Sequence, residues 1–115
     1  MTVVLYGIPN CDTVKKARTW LEGKGVAYQF HDYKKQGVDE AALRGWAGEV
    51  GWEKLLNRAG TTFRKLADEE KADLNQDKAV AIMVANPSTI KRPVVTGAGA
   101  PLVGFKPDEW AAHFS

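Results

Sequence analysis

The stretch VVLYGIPNCDTVKKARTWL, residues 3–21, decides how this chain folds. Its first half, extended back to Thr2, is a β-rich apolar run stopped by Pro9-Asn10, which reads as a buried strand and a turn. From about Asp12 the period changes. Val14, Ala17 and Leu21 fall at i, i+3 and i+7 with Trp20 beside them, the apolar stripe of a helix, and Gly23 and Gly25 supply its stop. A second run, VAYQFHDY at 26–33, alternates as a strand. Val26, Tyr28, Phe30 and Asp32 fall on one face, and Ala27, Gln29, His31 and Tyr33 on the other. Two strands separated by one helix predict a parallel pair joined by a right-handed crossover.

The texture then changes. From Val38 to about Ala85 the periodicity is helical. Asp39 can cap a helix carrying Leu43, Trp46 and Val50, and Trp52, Leu55 and Leu56 begin a short one. FRKLADEEKADL (63–74) and QDKAVAIMVAN (76–86) complete the block, the latter apolar enough to be packed on several sides, and Pro87 ends it. Strand character returns in RPVVTG (92–97) and PLVGF (101–105), joined by Gly97-Ala98-Gly99 as an antiparallel hairpin. KPDEWAAHF (106–114) closes the chain as a helix with Asp108 near its start. The class is α/β with the order β-α-β, a helical block, then β-β-α. The expected organisation is a single domain over 1–115, with a core from 1–37 and 87–115 and an all-helical insertion at about 38–86.

At 115 residues, 44% hydrophobic and 26% charged, the chain has the composition of an ordinary folded domain rather than of a disordered one. No apolar run approaches the ~18 residues of a membrane span. The start lacks the basic flank of a signal peptide, so the expectation is a cytoplasmic protein. The single cysteine suits a reducing compartment and excludes an internal disulfide framework. A formal charge of +2 neither demands nucleic acid nor excludes a small anionic ligand. Lys15-Lys16 and Lys34-Lys35 lack interleaved aromatics, so no nucleic-acid partner is expected. Neither GxGxxG nor a P-loop occurs.

Cys11 is the first candidate for chemistry. A cysteine within the apolar run would be core filling, since free thiols are often buried. One placed after Pro-Asn at a helix start instead meets the unpaired N–H groups and the positive end of the helix, which favour thiolate over thiol. Lys15, Lys16 and Arg18 act in the same sense if they face the sulfur, and Asp12 opposes them. Position therefore marks Cys11 as a nucleophile. Arg92-Pro93 is the second feature. A proline heading a strand removes a ladder donor, so either it lies at an edge or it carries a cis bond. Arg92 can bind an oxyanion or carboxylate bidentately. His31 and His113 with one cysteine lack metal-site spacing, so no metal is expected. His31, on a strand, reads as half-buried packing, and the four tryptophans read as packing on helical apolar faces.

These blocks, YGIPNCDTVKKARTWL, FHDYKKQGVD, GWEKLLNRAGTTFRKL, IKRPVV and LVGF, taken in order, resemble the arsenate reductase-like (ArsC/Spx) family of the thioredoxin fold, and within it the YffB subgroup. The resemblance implies a thioredoxin-like mixed sheet with an inserted helical subdomain, a nucleophilic Cys11, a cis peptide before Pro93 and an anion-contacting Arg92. It also implies a glutathione-dependent thiol reductase. Departures narrow this. Thioredoxins and Spx regulators have C-x-x-C, whereas the fourth position here is Val14. Arsenate reductases of the family carry a glycine and a serine in the loop after the cysteine, where Asp12 and Val14 stand. At the arginine position after the Leu55-Leu56 pair there is Asn57, followed by Arg58 and then Arg64.

With one thiol, the resolving thiol must come from outside, and glutathione is the abundant candidate. It is expected as a co-substrate, with no bound cofactor. Its two carboxylates give Arg92, Lys91, Lys15 and Arg64 a use. Asn10 and Thr13 can contact the sulfur or the bound peptide, or cap the helix. Two alternatives stand beside this reading: an arsenate reductase using glutathione and a glutaredoxin, and a non-catalytic Spx-like protein-binding regulator. The partners expected are glutathione or a small thiol or oxyanion, with no membrane and a monomeric chain.

Overall fold

The computed structural model describes residues 2–97 and 99–114, which form two compact units, one of the described residues up to 37 together with those from 92 onward, the other of residues 38–91. In the first unit, β1 (Val4–Gly7) leads into α1 (Asp12–Gly23) and β2 (Gln29–Asp32), followed by one turn of helix, α2 (Tyr33–Gln36). The chain returns to this unit as β3 (Val94–Thr96), β4 (Leu102–Val103) and α8 (Pro107–Phe114). The sheet order is β2-β1-β3-β4, with β1 and β2 parallel and the other pairs antiparallel. This is the mixed sheet expected from the sequence.

The apolar stripe of α1 explains the packing. Val14, Ala17 and Leu21 are fully buried and join Leu5, Val95 and Trp110 in one core. The helix stops as its glycines require. Gly25 adopts φ +71°, its N–H donates to Glu22, and the Val26 N–H reaches Leu21 O at 3.0 Å, the pairing that satisfies a helix's last carbonyls. Gly97, at φ +97°, precedes the β3–β4 turn and lies so close to the Thr2 carbonyl that a Cβ there would collide with it. Ala98, the middle of the expected turn, lies outside the described residues.

The second strand is shorter than its sequence pattern, because pairing begins at Gln29 and ends at Asp32. Asp32 instead starts a helical turn. Its carboxylate accepts from Lys34 N at 2.9 Å, while Gln36 Oε1 accepts from Asp32 N at 3.1 Å. This two-way cap takes Tyr33 out of the strand and into α2.

The second unit holds α3 (Glu40–Val50), α4 (Trp52–Leu55), α5 (Thr61–Arg64), α6 (Asp68–Lys71), α7 (Gln76–Ala85) and a 3-10 turn, Pro87–Thr89. Asp39 caps α3 through a bond from Ala41 N, and Leu43 and Trp46 are buried. In α7 the residues Ala79, Val80, Ile82 and Met83 are all buried, so that helix is enclosed on more than one face. The run 63–74 is not one helix. It splits into α5 and α6, and the charged turn α6 buries no residue. Residues 87–91, assigned from sequence to the core, belong to this unit. Ile90 bridges Leu56, and Lys91 N donates to Leu55 O at 2.7 Å.

Candidate functional site

Cys11 occupies the N-cap position of α1 with extended backbone, φ −95° and ψ 122°. The turn that delivers it is closed by Cys11 N donating to Ile8 O at 3.2 Å, and Lys15 N donates to the Cys11 carbonyl at 3.0 Å. An N-cap side chain ordinarily accepts from the helix's first N–H groups, but the Cys11 sulfur makes no such bond. The residue is half-buried and packs on the first unit's core. Its sulfur is thus held against an apolar floor at a helix start without being used as a cap. Asn10 and Thr13 flank it, both exposed. Lys15 lies one turn further along the same helix, also exposed.

The sheet register brings the second feature to this end of the unit. Tyr6 pairs with Val94 across antiparallel β1 and β3, so β3 begins where β1 ends. The Ile8–Cys11 turn and the Arg92-Pro93 dipeptide therefore leave the sheet at the same end of its two central strands. The Arg92–Pro93 peptide is cis. Pro93 is buried, and its carbonyl accepts from Gly104 N at 2.8 Å.

The first unit also holds an aromatic cluster that the sequence did not disclose. Tyr6, His31 and Tyr33 form an aromatic cluster, with ring centroids 4.8 Å apart for Tyr6–His31 and 6.2 Å for Tyr6–Tyr33. His31, half-buried as expected, places Nε2 2.8 Å from the Gly37 carbonyl. Tyr33 is 4% exposed, and its hydroxyl has no hydrogen-bond partner among the described residues. Burial pushes that phenol well above its ordinary range, Tyr6 adds to the effect, and the Arg92 cation works against it. The alternation over 26–33 places Tyr33 at the end of a strand, whereas it opens α2. The signal that could have found it is the Asp32–Gln36 spacing, a local cap that turns the chain.

Asn10, Cys11, Thr13, Lys15, Arg92 and Pro93 all belong to the first unit. Arg64 and Lys91 belong to the second. Arg64 is exposed at the end of α5, where its carbonyl accepts from Lys71 Nζ at 3.1 Å, and the exposed Lys91 is held by its backbone bond to Leu55. Among the described residues no group of three or more His, Cys, Asp or Glu side chains is arranged to hold a metal ion, and no helix is long and apolar enough to cross a membrane.

Comparison with known proteins adds family context to this geometry. The model of the ArsC family matches residues 6–113. The solved structure of a YffB protein superposes with a TM-score of 0.96 at 60% identity, covering 99% of this chain and 100% of that one. A solution structure of an arsenate reductase (ArsC) related protein from Brucella melitensis gives a TM-score of 0.76 at 51% identity, covering 100% of this chain and 96% of that one. An uncharacterized protein of Haemophilus influenzae is 38% identical over 113 residues, 98% of this chain and 99% of its own length.

Proposed function

The chain belongs to the ArsC family, and from that premise we propose that it is a monothiol thiol–disulfide oxidoreductase, with Cys11 as nucleophile and glutathione as the external resolving thiol. The observation that carries this reading is the pairing of a half-exposed Cys11 at the start of α1 with a fully buried Val14 at the fourth position. One thiol is accessible, and the place of a second is filled by core.

In the first step the Cys11 thiolate attacks the glutathionyl sulfur of a mixed disulfide. That S–S bond breaks, a Cys11–glutathione disulfide forms, and the other thiol leaves as a thiolate that takes up a proton. A second glutathione thiolate then attacks this disulfide, giving glutathione disulfide and restoring the Cys11 thiolate. The net reaction consumes one glutathione and one mixed disulfide, and yields one free thiol and one glutathione disulfide. Arg92, at the same end of the sheet, offers a planar donor pair to a glutathione carboxylate. Asn10 and Thr13, exposed and not held by side-chain bonds to other described residues, can donate to the tripeptide backbone. Lys15 supplies a second cation, and charge removal at Lys91 and at Arg64 tests whether either residue has a role in glutathione binding. A glutaredoxin is a further thiol source for the second step.

The test is glutathione-dependent turnover of a mixed disulfide by the native chain and by Cys11→Ser. The Ser variant is expected to keep the native circular dichroism spectrum and lose turnover. Turnover at the native rate by that variant would sink the proposal. Arsenate-dependent oxidation of glutathione by the native chain, with no activity on mixed disulfides, would replace it with arsenate reduction.

A further inference from the structure

Along α1, beginning one turn beyond Cys11, lies a groove of about 470 Å³ lined by Lys15, Lys16, Thr19, Trp20, Phe105 and Pro107. Its volume is that of a small-molecule site. The floor is aromatic and fixed from beneath. Trp20 meets Phe105 edge-on at 6.4 Å, and both rings pack on the buried Trp110, at 5.8 and 4.9 Å. Trp110 Nε1 donates to the Gly104 carbonyl at 3.1 Å, which ties down the segment carrying Phe105 and Pro107. Lys24 sits over the Trp20 ring at 5.7 Å. The rim differs in kind from the floor. Lys15 and Lys16 are exposed, and among the described residues neither forms an ion pair. Asp12, four residues before Lys16, does not pair with it.

Cys11, Lys15 and Thr19 are spaced by four residues and so fall along one side of the helix. With a rise of about 1.5 Å per residue, Lys15 stands about 6 Å and Thr19 about 12 Å along the axis from Cys11. A group joined to the sulfur that reaches Cys11 would meet this groove within its own length.

We infer that the groove is a subsite for the leaving half of the substrate, and that this half is an aromatic thiol carrying a carboxylate. The ring lies on Trp20 and Phe105, and the carboxylate is met by Lys16, which leaves Lys15 to the glutathionyl half. This inference rests on the reductase reading, since it names the substrate class of the same nucleophile. Cys11 attacks the glutathionyl sulfur, the S–S bond breaks, and the aromatic thiolate departs from the groove carrying the electron pair of that bond. It takes up a proton from solvent, and a second glutathione resolves Cys11 as before. The charge pattern selects the class. Aromatic floor and unpaired ammonium rim together match an amphipathic anion, whereas a neutral thiol would leave Lys16 without use.

The experiment compares two mixed disulfides of glutathione, one with para-mercaptobenzoate and one with mercaptoethanol. The native chain is expected to show a KM about tenfold lower for the first. Trp20→Ala and Lys16→Glu should each raise that KM about fivefold and the mercaptoethanol KM by less, so that the preference for the aromatic disulfide narrows, as expected when one contact of a bound ring or carboxylate is lost. Trp20 also packs on Trp110, so the exposed Lys16 provides the variant whose folding is not at issue. A second arm removes chemistry: Cys11→Ser protein is titrated with para-(methylthio)benzoate while the Trp20 indole resonance is followed by NMR. Saturable movement of that resonance, reduced in the Lys16→Glu background, supports the subsite. Turnover of both disulfides with equal KM, or titration without any movement of Trp20, overturns it while leaving the reductase reading intact. Binding in the groove with no turnover of either disulfide overturns the reductase reading and leaves an aromatic-anion site beside Cys11.

Discussion

Val14 closes directly on the backbone of Gly7, so that a Cβ placed on Gly7 would stand 2.8 Å from Val14 Cγ2. The contact sets how near α1 lies to β1, and it gives the valine of CDTV a structural task. Overpacking a filled core costs about 1–3 kcal/mol. Gly7→Ala is therefore expected to lower the unfolding free energy by about that amount in urea titration. Adding Val14→Ala to Gly7→Ala should recover part of the loss, because the two positions share one space and their effects will not add. Simple additivity of the two single changes would show that α1 shifts freely and that the contact is not restrictive.

Val14→Cys probes the same position from the side of chemistry. It creates the spacing C-x-x-C at a helix start, with both thiols on one side of the first turn. The variant is expected to resolve its own mixed disulfide, so that glutathione attached to Cys11 no longer persists after mixing with glutathione disulfide. Mass spectrometry of the acid-quenched protein checks this. The native chain should carry the glutathione adduct, and the variant an internal disulfide. A persistent adduct on the variant would mean that the fourth position, buried as it is, does not reach the Cys11 sulfur.

How much of this was legible in sequence depended on whether the signal was local. Val14, Ala17 and Leu21 form a single stripe, and the helix they imply is present with its glycine stop. Asp39 lies where the sequence expects a cap, with its side chain accepting from Ala41 N, whereas the Asn75 cap of α7, accepting from Lys78 N, was not anticipated. The run 63–74 misled because its charged half looks helical by propensity but has nothing to bury, and a helix without an apolar face needs packing it does not have. The cis bond before Pro93 followed from the family resemblance, since the residues alone left it open. The cluster of Tyr6, His31 and Tyr33 and the groove at Trp20 were invisible. Their members come from β1, β2, α2, α1 and the segment after β4, and only the sheet register and the packing on Trp110 bring them together.

Tyr33 gives a prediction with a pH dependence. Its hydroxyl is buried and has no hydrogen-bond partner among the described residues. Leaving a polar group in that state is costly, and removing it can stabilise. Tyr33→Phe should therefore raise the unfolding free energy by about 1 kcal/mol near neutral pH. Burial first, and then Tyr6, raise the folded-state value above the ordinary phenol value of 10.0, against the opposing Arg92 charge. With a raised folded value, the unfolded chain releases its proton first. Stability is then fully present below about pH 10 and falls as pH rises beyond it. Tyr28 is shifted the same way, by burial and its bond to Glu22, so it leaves a residual slope in the variant. Urea midpoints measured through this window should fall less steeply for Tyr33→Phe than for the native chain. Parallel curves would show that Tyr33 ionises in the folded state as readily as in the unfolded one.

Trp110 separates the stability of the first unit from its chemistry. It is fully buried, touches the rings of Trp20, Phe105 and Phe114 at 5.8, 4.9 and 6.2 Å, and holds Gly104 O through its indole N–H. Truncating a buried tryptophan costs about 3–5 kcal/mol, a large part of the about 5–15 kcal/mol that holds a typical domain together. Trp110→Ala is expected to populate the unfolded state at ordinary temperatures. Trp110→Phe keeps a ring in the core and loses chiefly volume and one hydrogen bond, so it should remain folded with a lower urea midpoint. Because Cys11 is positioned by the Ile8 turn and the start of α1 rather than by α8, turnover of the mercaptoethanol–glutathione disulfide by Trp110→Phe should stay within about twofold of native. A large loss of kcat in a variant that still gives a native circular dichroism spectrum would mean that the aromatic core fixes the nucleophile itself, and not only the groove beside it.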